Sequence, residues 1–201
     1  MLKFYGTSKS RSARSLWALE EVGVKYEHEP TPTTQAKSAD HMKINPIGHV
    51  PVLDDNGTII FESMAINLYL AEKYGKGTLW PASVEDHGQI YKWSFFGMTE
   101  LEPHLMTLLM HKLFLPADQR SDQSVKTATE TLKAPLGVID AALKGREYLL
   151  GSSFTIADLN LASVLSFGLY IKFDFSATPA LNAWFQKCTG REANVRTRAM
   201  K

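Results

Sequence analysis

GHVPVLDDNGTIIFES, residues 48–63, sets a proline at the mouth of an apolar strand and an acid-serine pair where the next strand stops. Val50 to Leu53 reads as a strand, Asp54-Asp55-Asn56-Gly57 supplies the φ > 0 residues of a tight turn, and Thr58 to Phe61 reads as the returning strand. Pro51 has no N–H to give a ladder. It therefore belongs at a strand's first residue, on an edge, or in a cis bond that turns the chain.

Upstream, Leu2-Lys3-Phe4-Tyr5 is a short strand, RSARSLWALEEVG (11–23) is a helix closed by Gly23, and Lys25 to Glu29 is a second strand broken by PTPTTQ (30–35). Residues 36–44 carry weak helical preference before Asn45-Pro46. Downstream of the hairpin, Met64 to Tyr74 sets Ile66, Leu70 and Tyr74 on one helical side. The order is βαβ, a linking segment, then ββα, which is an α/β first half with a mixed sheet. After GKGTLWPAS (75–83) the pattern is helical from Val84 to Lys144 and from Thr155 to Lys187, with no convincing strand. The expected division is a first domain over 1–77, a linker over 78–83 and an all-helical domain over 84–201. Leu79 and Trp80 predict a linker packed against a domain surface. In SFTIADLNLASVL (153–165), Thr155 caps a helix, Asp158 reaches back to it and Phe154 packs on Leu159 as a staple. Asp158 is thereby a structural acid, not a catalytic one.

The totals narrow the partners. A chain of 201 residues that is 44% hydrophobic is ample for a packed core. With 22 Lys+Arg against 21 Asp+Glu the formal charge is +1, so no field recommends nucleic acid or an acidic membrane as partner. A small ligand is the better expectation. Arg191, Arg196, Arg198 and Lys201 gather at the end and read as a solvated, partly frayed tail. Cys188 is the single cysteine, which excludes a disulfide framework and any CxxC redox or zinc motif and suits a reducing, cytoplasmic compartment. No leader segment and no long apolar run is visible, so the protein is read as soluble and unsecreted. The six histidines include no HxxxH pair, and no metal site is expected.

A proline opening the third strand of a βαβ-ββα arrangement favours the cis bond. Such a bond turns the backbone of Val50 outward, where an extended peptide can dock like an added strand. The next helix begins beside that groove. Ser63 and the first free N–H groups can receive a carboxylate, and Glu62 can receive an ammonium. Alone, Ser63 is an ordinary cap and Glu62 an exposed turn acid; beside the proline, the pair suits the head group of an α-amino acid.

NPIGHVPVLDDNG (45–57) with FESMAINLYLAEKYG (61–75) resembles the glutathione-binding half of the soluble glutathione transferases. Within that family, LKFYGTSKSRSARSLWALEEVGVKYE (2–27) resembles bacterial and fungal members whose first loop carries a Ser-Arg pair, and FTIADL matches the second domain. The resemblance spans nearly the whole chain. It implies a thioredoxin-like domain followed by an all-helical one, a homodimer, glutathione as co-substrate bound in the first domain, and a small electrophile bound in the second. It further implies that Val50 pairs with the cysteinyl backbone of glutathione, that Pro51 is cis, that Glu62 and Ser63 hold the γ-glutamyl end, and that His49 lies near the glycyl carboxylate. His49 offers less charge at neutral pH than the Lys of many relatives.

A free thiol has a pKa of about 8.5, so catalysis gains from a hydroxyl donor, a cation or a helix N-terminus beside it. The loop Gly6-Thr7-Ser8-Lys9-Ser10-Arg11-Ser12 offers all three. The resemblance points to Ser10 as donor and Arg11 as electrostatic partner; Ser8 and Ser12 compete, and Tyr5 is a further alternative. The loop has no Cys, which argues against thiol-disulfide exchange. In YKWSFFGMTELEPHLMTLL (91–109), Phe95, Met98 and Thr99 are candidates for the electrophile pocket, although the same stripe suits any core helix. The implied activity is conjugation of glutathione to small hydrophobic electrophiles. A glutathione-dependent peroxidase, isomerase or dehalogenase, or a non-catalytic ligand carrier, is the alternative.

Overall fold

The computed structural model describes residues 1–200 and divides into two compact units, one of residues 1–82 together with residues from 190 onward, the other of residues 83–189. In the first unit β1 (Leu2–Tyr5), α1 (Ser12–Val22) and β2 (Glu27–Glu29) make a βαβ element with parallel strands. α2 (Ala39–Ile44) follows, then β3 (Val52–Asp55), β4 (Thr58–Phe61) and α3 (Ser63–Tyr74), with β3 antiparallel to both β1 and β4. The mixed four-stranded sheet has the order β2-β1-β3-β4. Its βαβ-ββα order is the one the sequence signals predict, and the whole is the thioredoxin-like arrangement that the family resemblance implies.

Alternation on β1 sends Leu2 and Phe4 into the core and leaves Lys3 and Tyr5 half-buried on the other face. Helix α1 stops at Gly23, whose φ of +67° suits glycine and whose N–H returns to the Leu19 carbonyl at 3.1 Å. Leu16 and Leu19 of α1 and Ile66 and Leu70 of α3 are completely buried, each worth about 1.5–3 kcal/mol of transfer free energy. β2 is shorter than the Lys25 to Glu29 run suggests, because the parallel ladder offers it only Lys3–Tyr5 as partners. α2 begins at Ala39 because the Ser38 hydroxyl caps it, accepting the His41 N–H at 3.3 Å.

The hairpin turn is tighter than its four polar residues suggest. Only Asn56 (φ 54°) and Gly57 (φ 93°) turn, while Asp54 and Asp55 belong to β3. The acids stay in the strand because each finds donors. Asp54 Oδ1 accepts the Gly57 N–H at 2.7 Å. The buried Asp55 carboxylate accepts from Tyr69 (2.8 Å), Tyr74 (2.7 Å), Lys73 (2.5 Å) and Asn56 (2.8 Å). Burial opposes its charge, but the Lys73, Tyr74, Tyr69 and Asn56 donors outweigh that and hold the carboxyl well below the usual carboxylate range.

The end of the chain corrects the expectation of a frayed tail. Residues Glu192–Ala199 form helix α10, which packs on α1. Arg191 meets Glu21 through two bonds of 2.6 and 2.9 Å, and Arg196 meets Glu20 at 2.9 Å. The acids that end α1 are the partners that order Arg191 and Arg196, and residues 190–200 cluster with the first unit, whereas the sequence suggests a helical domain over 84–201; Lys201 lies outside the described residues. Leu79 and Trp80, expected in a packed linker, are 4% and 5% exposed in the first unit.

The second unit is helical: α4 (Val84–Phe96), a π-helical turn (Gly97–Leu101), α5 (Glu102–Leu109), a second π turn (Met110–Phe114), a 3-10 turn (Ala117–Gln119), α6 (Asp122–Leu143), α7 (Ile156–Leu165), α8 (Phe167–Tyr170) and α9 (Pro179–Thr189). Every residue of α7 is buried, its polar Asp158, Asn160 and Ser163 each held by hydrogen bonds. Its capping box forms as expected, and Asp158 also accepts from Leu149 N–H at 2.8 Å and Trp184 Nε1–H at 2.9 Å.

Candidate active site

Within the first unit, three short segments carry the residues singled out from the sequence: the loop from Gly6 to Ser12, the turn into β3, and the junction of β4 with α3. In the loop, Gly6 is held on both sides, its N–H on the Glu29 carbonyl (3.1 Å) and its carbonyl 2.8 Å from His28 Nε2. Its φ is +145°, and a Cβ there would lie 2.1 Å from Ser12 Oγ. Glycine is thus required by both backbone and packing. The Ser10 hydroxyl lies 3.0 Å from the Thr7 carbonyl and 2.9 Å from the hydroxyl of the fully buried Ser12, and it accepts the Ser12 N–H at 3.1 Å. Ser10 and Ser12 are therefore a hydroxyl pair at the N-terminus of α1. Arg11 is exposed, and Ser8 turns away to donate to the Met200 carbonyl at 2.6 Å. Tyr5 is half-buried, its ring edge-on to His41 with centroids 6.2 Å apart.

The turn into β3 is built on a carbonyl. His41 Nε2 (2.8 Å) and Asn45 Nδ2 (2.9 Å) both meet the main-chain oxygen of His49, while the His49 side chain is exposed. Asn45 Oδ1 accepts the Ile47 N–H at 3.2 Å, closing the turn. The Val50–Pro51 peptide bond is cis, and both residues are buried. Lys37 Nζ reaches the Ile47 carbonyl at 3.5 Å, which brings a cation close to His49 along the chain.

At the junction, Glu62 is exposed and adopts φ 74°, ψ 116°. A non-glycine residue held there stores about 1–3 kcal/mol and marks a constrained position. Glu62 stands in the cap position of α3 without a capping side chain, and Ser63 opens the helix, 4% exposed. Ser63 is thus the first residue of α3 and not its cap. Its hydroxyl lies 3.4 Å from Arg14 Nη1, and its carbonyl accepts from Ser15 Oγ at 3.4 Å.

Arg14 is the functional candidate that the sequence reading missed. It is 2% exposed, whereas Arg11, the arginine chosen, faces solvent. The signal was its spacing: Arg14 precedes the buried Trp17 and Ala18 by one helical turn, which sets it on the inner face of α1. A guanidinium on an inner face, next to the N-terminus of a helix, has the chemistry to receive an anion. The hydroxyl pair at the start of α1 makes a second set of donors for negative charge.

Phe95, Met98 and Thr99 belong to the second unit. Phe95 is 62% exposed, Met98 is half-buried, and the Thr99 hydroxyl turns back to the Phe95 carbonyl at 3.1 Å. Among the described residues no group of three or more His, Cys, Asp or Glu side chains could hold a metal ion, and no helix is long and apolar enough to cross a membrane.

Two family models match in succession: the glutathione S-transferase N-terminal domain over residues 1–72 and the glutathione S-transferase C-terminal domain over residues 98–192. Glutathione S-transferase hmp2 of Hypomyces subiculosus is 30% identical over 99% of this chain and 98% of its own. Glutathione S-transferase F9 of Arabidopsis thaliana is 34% identical over 79% of this chain and 77% of its own. The solved structure of glutathione S-transferase-I bound with lactoylglutathione superposes with a TM-score of 0.85 at 29% identity, covering 98% of both chains. The theta class enzyme of Xanthomonas axonopodis pv. citri with glutathione bound superposes with a TM-score of 0.86 at 26% identity, over 98% of this chain and 96% of that one.

Proposed function

The chain belongs to the glutathione S-transferase family, and we propose that it is a transferase of the bacterial and fungal Ser-Arg loop type, which joins the glutathione thiolate to small hydrophobic electrophiles. The observation that carries this reading is the junction in which buried Arg14 meets Ser63 beside the constrained, exposed Glu62. The γ-glutamyl carboxylate accepts from the Ser63 hydroxyl and the first N–H groups of α3, with the Arg14 charge behind them. Glu62 receives the ammonium. Val50, before cis-Pro51, pairs its backbone with the cysteinyl residue, and His49 with Lys37 faces the glycyl carboxylate.

The sulfur then meets the start of α1. Ser10 has a single hydroxyl hydrogen and two neighbouring acceptors, so it must turn that hydrogen outward to serve a thiolate. Turning outward gives up the bond that Ser10 donates to Ser12 Oγ, while the Ser12 N–H stays on Ser10 Oγ and strengthens Ser10 as a donor. Arg11, at the cap of α1, adds a solvent-screened positive charge. The thiol proton leaves to water, the sulfur lone pair forms a bond to the electrophilic carbon, and the leaving group departs with the bonding pair. Phe95, Met98 and Thr99 contribute apolar surface to the electrophile, the active species is a homodimer, and the site of action is cytoplasmic. The single, buried Cys188 supports the last assignment.

The test is the ultraviolet difference spectrum of bound glutathione across pH, for the native protein, Ser10→Ala and Arg11→Ala. A thiolate band near neutral pH in the native protein, moved upward strongly by Ser10→Ala and more weakly by Arg11→Ala, is the expected result. Glutathione bound with its thiol unchanged from solution would instead describe a ligand carrier.

A further inference from the structure

The mechanism leaves Ser8 unused, although it makes one of the longest-range hydrogen bonds in the chain. Its hydroxyl donates to the main-chain carbonyl of Met200 at 2.6 Å across 192 residues of sequence. A serine hydroxyl has one hydrogen, so while it rests on Met200, Ser8 has none for a thiolate. The carbonyl it meets is firmly held. The Met200 N–H closes α10 on the Thr197 carbonyl at 3.2 Å, and the inner residues Ala193 and Thr197 are 6% and 1% exposed. At its other end α10 is fixed by the paired bonds of Arg191 to Glu21. Glu21 also accepts from Trp17 Nε1 at 2.9 Å, and Glu20, the partner of Arg196, accepts from the Tyr26 hydroxyl at 3.1 Å.

We infer that α10 is a strap for the thiol-activating loop, and that Ser8 is the positioning residue through which it acts. The inference rests on the transferase reading. Among the described residues the loop is attached through Gly6 on Glu29 and His28, Ser8 on Met200, and the Ser10-Ser12 pair on α1. The Ser8 bond is the attachment that ties it to the end of α10. Thr7, bonded covalently to Ser8, presents the carbonyl 3.0 Å from Ser10 Oγ that competes with a thiolate for the Ser10 hydrogen. By fixing Ser8, the strap fixes where that carbonyl stands and so how readily Ser10 turns to the sulfur. Residues outside the glutathione contacts thereby set the acidity of the bound thiol.

The experiment titrates bound glutathione by its thiolate absorbance and measures kcat and KM with 1-chloro-2,4-dinitrobenzene, for the native protein, Ser8→Ala, Ser8→Thr, Arg191→Met and the double variant Ser8→Ala/Arg191→Met. Ser8→Ala is expected to raise the thiolate midpoint by about half a pH unit and to lower kcat about threefold to tenfold, the scale of one lost hydrogen bond, with KM for glutathione nearly unchanged. Ser8→Thr, which keeps the hydroxyl, restores both. Arg191→Met shifts the midpoint in the same direction, and the double variant shifts it no further than the larger single one, because both act through one contact. A Ser8→Ala protein that titrates like the native one overturns the inference, as does full additivity of the two substitutions. Loss of the thiolate band in both Ser8→Ala and Ser8→Thr, with glutathione still bound, would make Ser8 the donor itself and overturn it from the other side. A native protein that leaves the bound thiol at its solution value removes the transferase reading, and the strap falls with it.

Discussion

Replacing Arg14 by Met keeps most of the side-chain volume and removes the guanidinium that the structure sets against Ser63. Arg14 is 2% exposed, and its Nη1 lies 3.4 Å from Ser63 Oγ. A carboxylate accepting from that hydroxyl stands about 5 Å from the charge, where the attraction is ~3 kcal/mol at an effective dielectric constant of about 20. Part of this repays the water stripped from the carboxylate, and a hydrogen bond to a charged group is worth about 1.5–3 kcal/mol net. The expected loss is therefore ~2 kcal/mol, or about thirtyfold in Kd. Calorimetry with S-methylglutathione measures it without thiol ionisation. The decisive comparison is the S-methylated γ-aminobutyryl-Cys-Gly peptide, which lacks only the α-carboxylate. Arg14→Met should cost that peptide less than about threefold, since the group that the guanidinium serves is gone. Equal losses with both peptides would refute the reasoning and make Arg14 a packing residue. The ratio of the two losses is insensitive to any general loosening of α1.

Three further outcomes follow from the packing. Gly6→Ala sets a Cβ 2.1 Å from Ser12 Oγ at a φ of +145°, so it should lower stability by roughly 2 kcal/mol and raise the thiolate midpoint of bound glutathione; unchanged melting and titration would count against the Gly6–Ser12 contact. Asp55→Asn should cost about 1.5–3 kcal/mol in urea unfolding at neutral pH, because it removes the charge from a buried carboxylate that accepts from Tyr69, Tyr74 and Asn56. The folded carboxyl of Asp55 lies below its unfolded value of about 3.9, so its stabilisation is complete above that value and fades as pH falls through the folded one. The deficit of Asp55→Asn must shrink in strong acid, and a constant deficit would show that the carboxylate charge is not what holds the hairpin to α3. Asp158→Ala leaves the Leu149 and Thr155 N–H groups, the Thr155 hydroxyl and Trp184 Nε1 without their acceptor, at a cost of roughly 3 kcal/mol or more, while the thiolate titration stays as in the native protein. Lost turnover with native stability would make Asp158 catalytic after all.

The features legible in the sequence were those that neighbouring residues determine. Asn56-Gly57 specifies its own turn, since both positions need φ > 0 and few other pairs supply it. Thr155 and Asp158 satisfy each other within one helical turn, so the start of α7 was visible without knowing what it packs against. The order of strand and helix signals then sufficed for the sheet, because a βαβ unit makes its strands parallel and a short hairpin makes its strands antiparallel. Asp55 marks the limit of such reasoning. An acid beside Asn-Gly looks like turn, and only the distant Tyr69, Lys73 and Tyr74 make it strand.

The contrast between exposed Arg11 and buried Arg14 shows the same limit at the candidate site. Both lie in one short stretch, and the pattern Ser-Arg directs attention to the first. What separates them is the side of α1 that meets α3, and this depends on a contact between residues 14 and 63. The arginines at the end of the chain repeat the lesson with opposite sign. In isolation Arg191 and Arg196 are solvated charges, and a charged run of that kind is ordinarily a mobile one. Glu20 and Glu21 reverse this, because they close α1 on the side where α10 docks, and the paired bonds of Arg191 hold the last helix in register with the first. Once α10 is anchored, the Met200 carbonyl has a defined position, and Ser8 changes from a rival of Ser10 into its support. A residue's role in this loop therefore depends on where its single hydroxyl hydrogen is already committed, a question that composition and spacing within residues 6–12 leave open and that the fold answers from the other end of the chain.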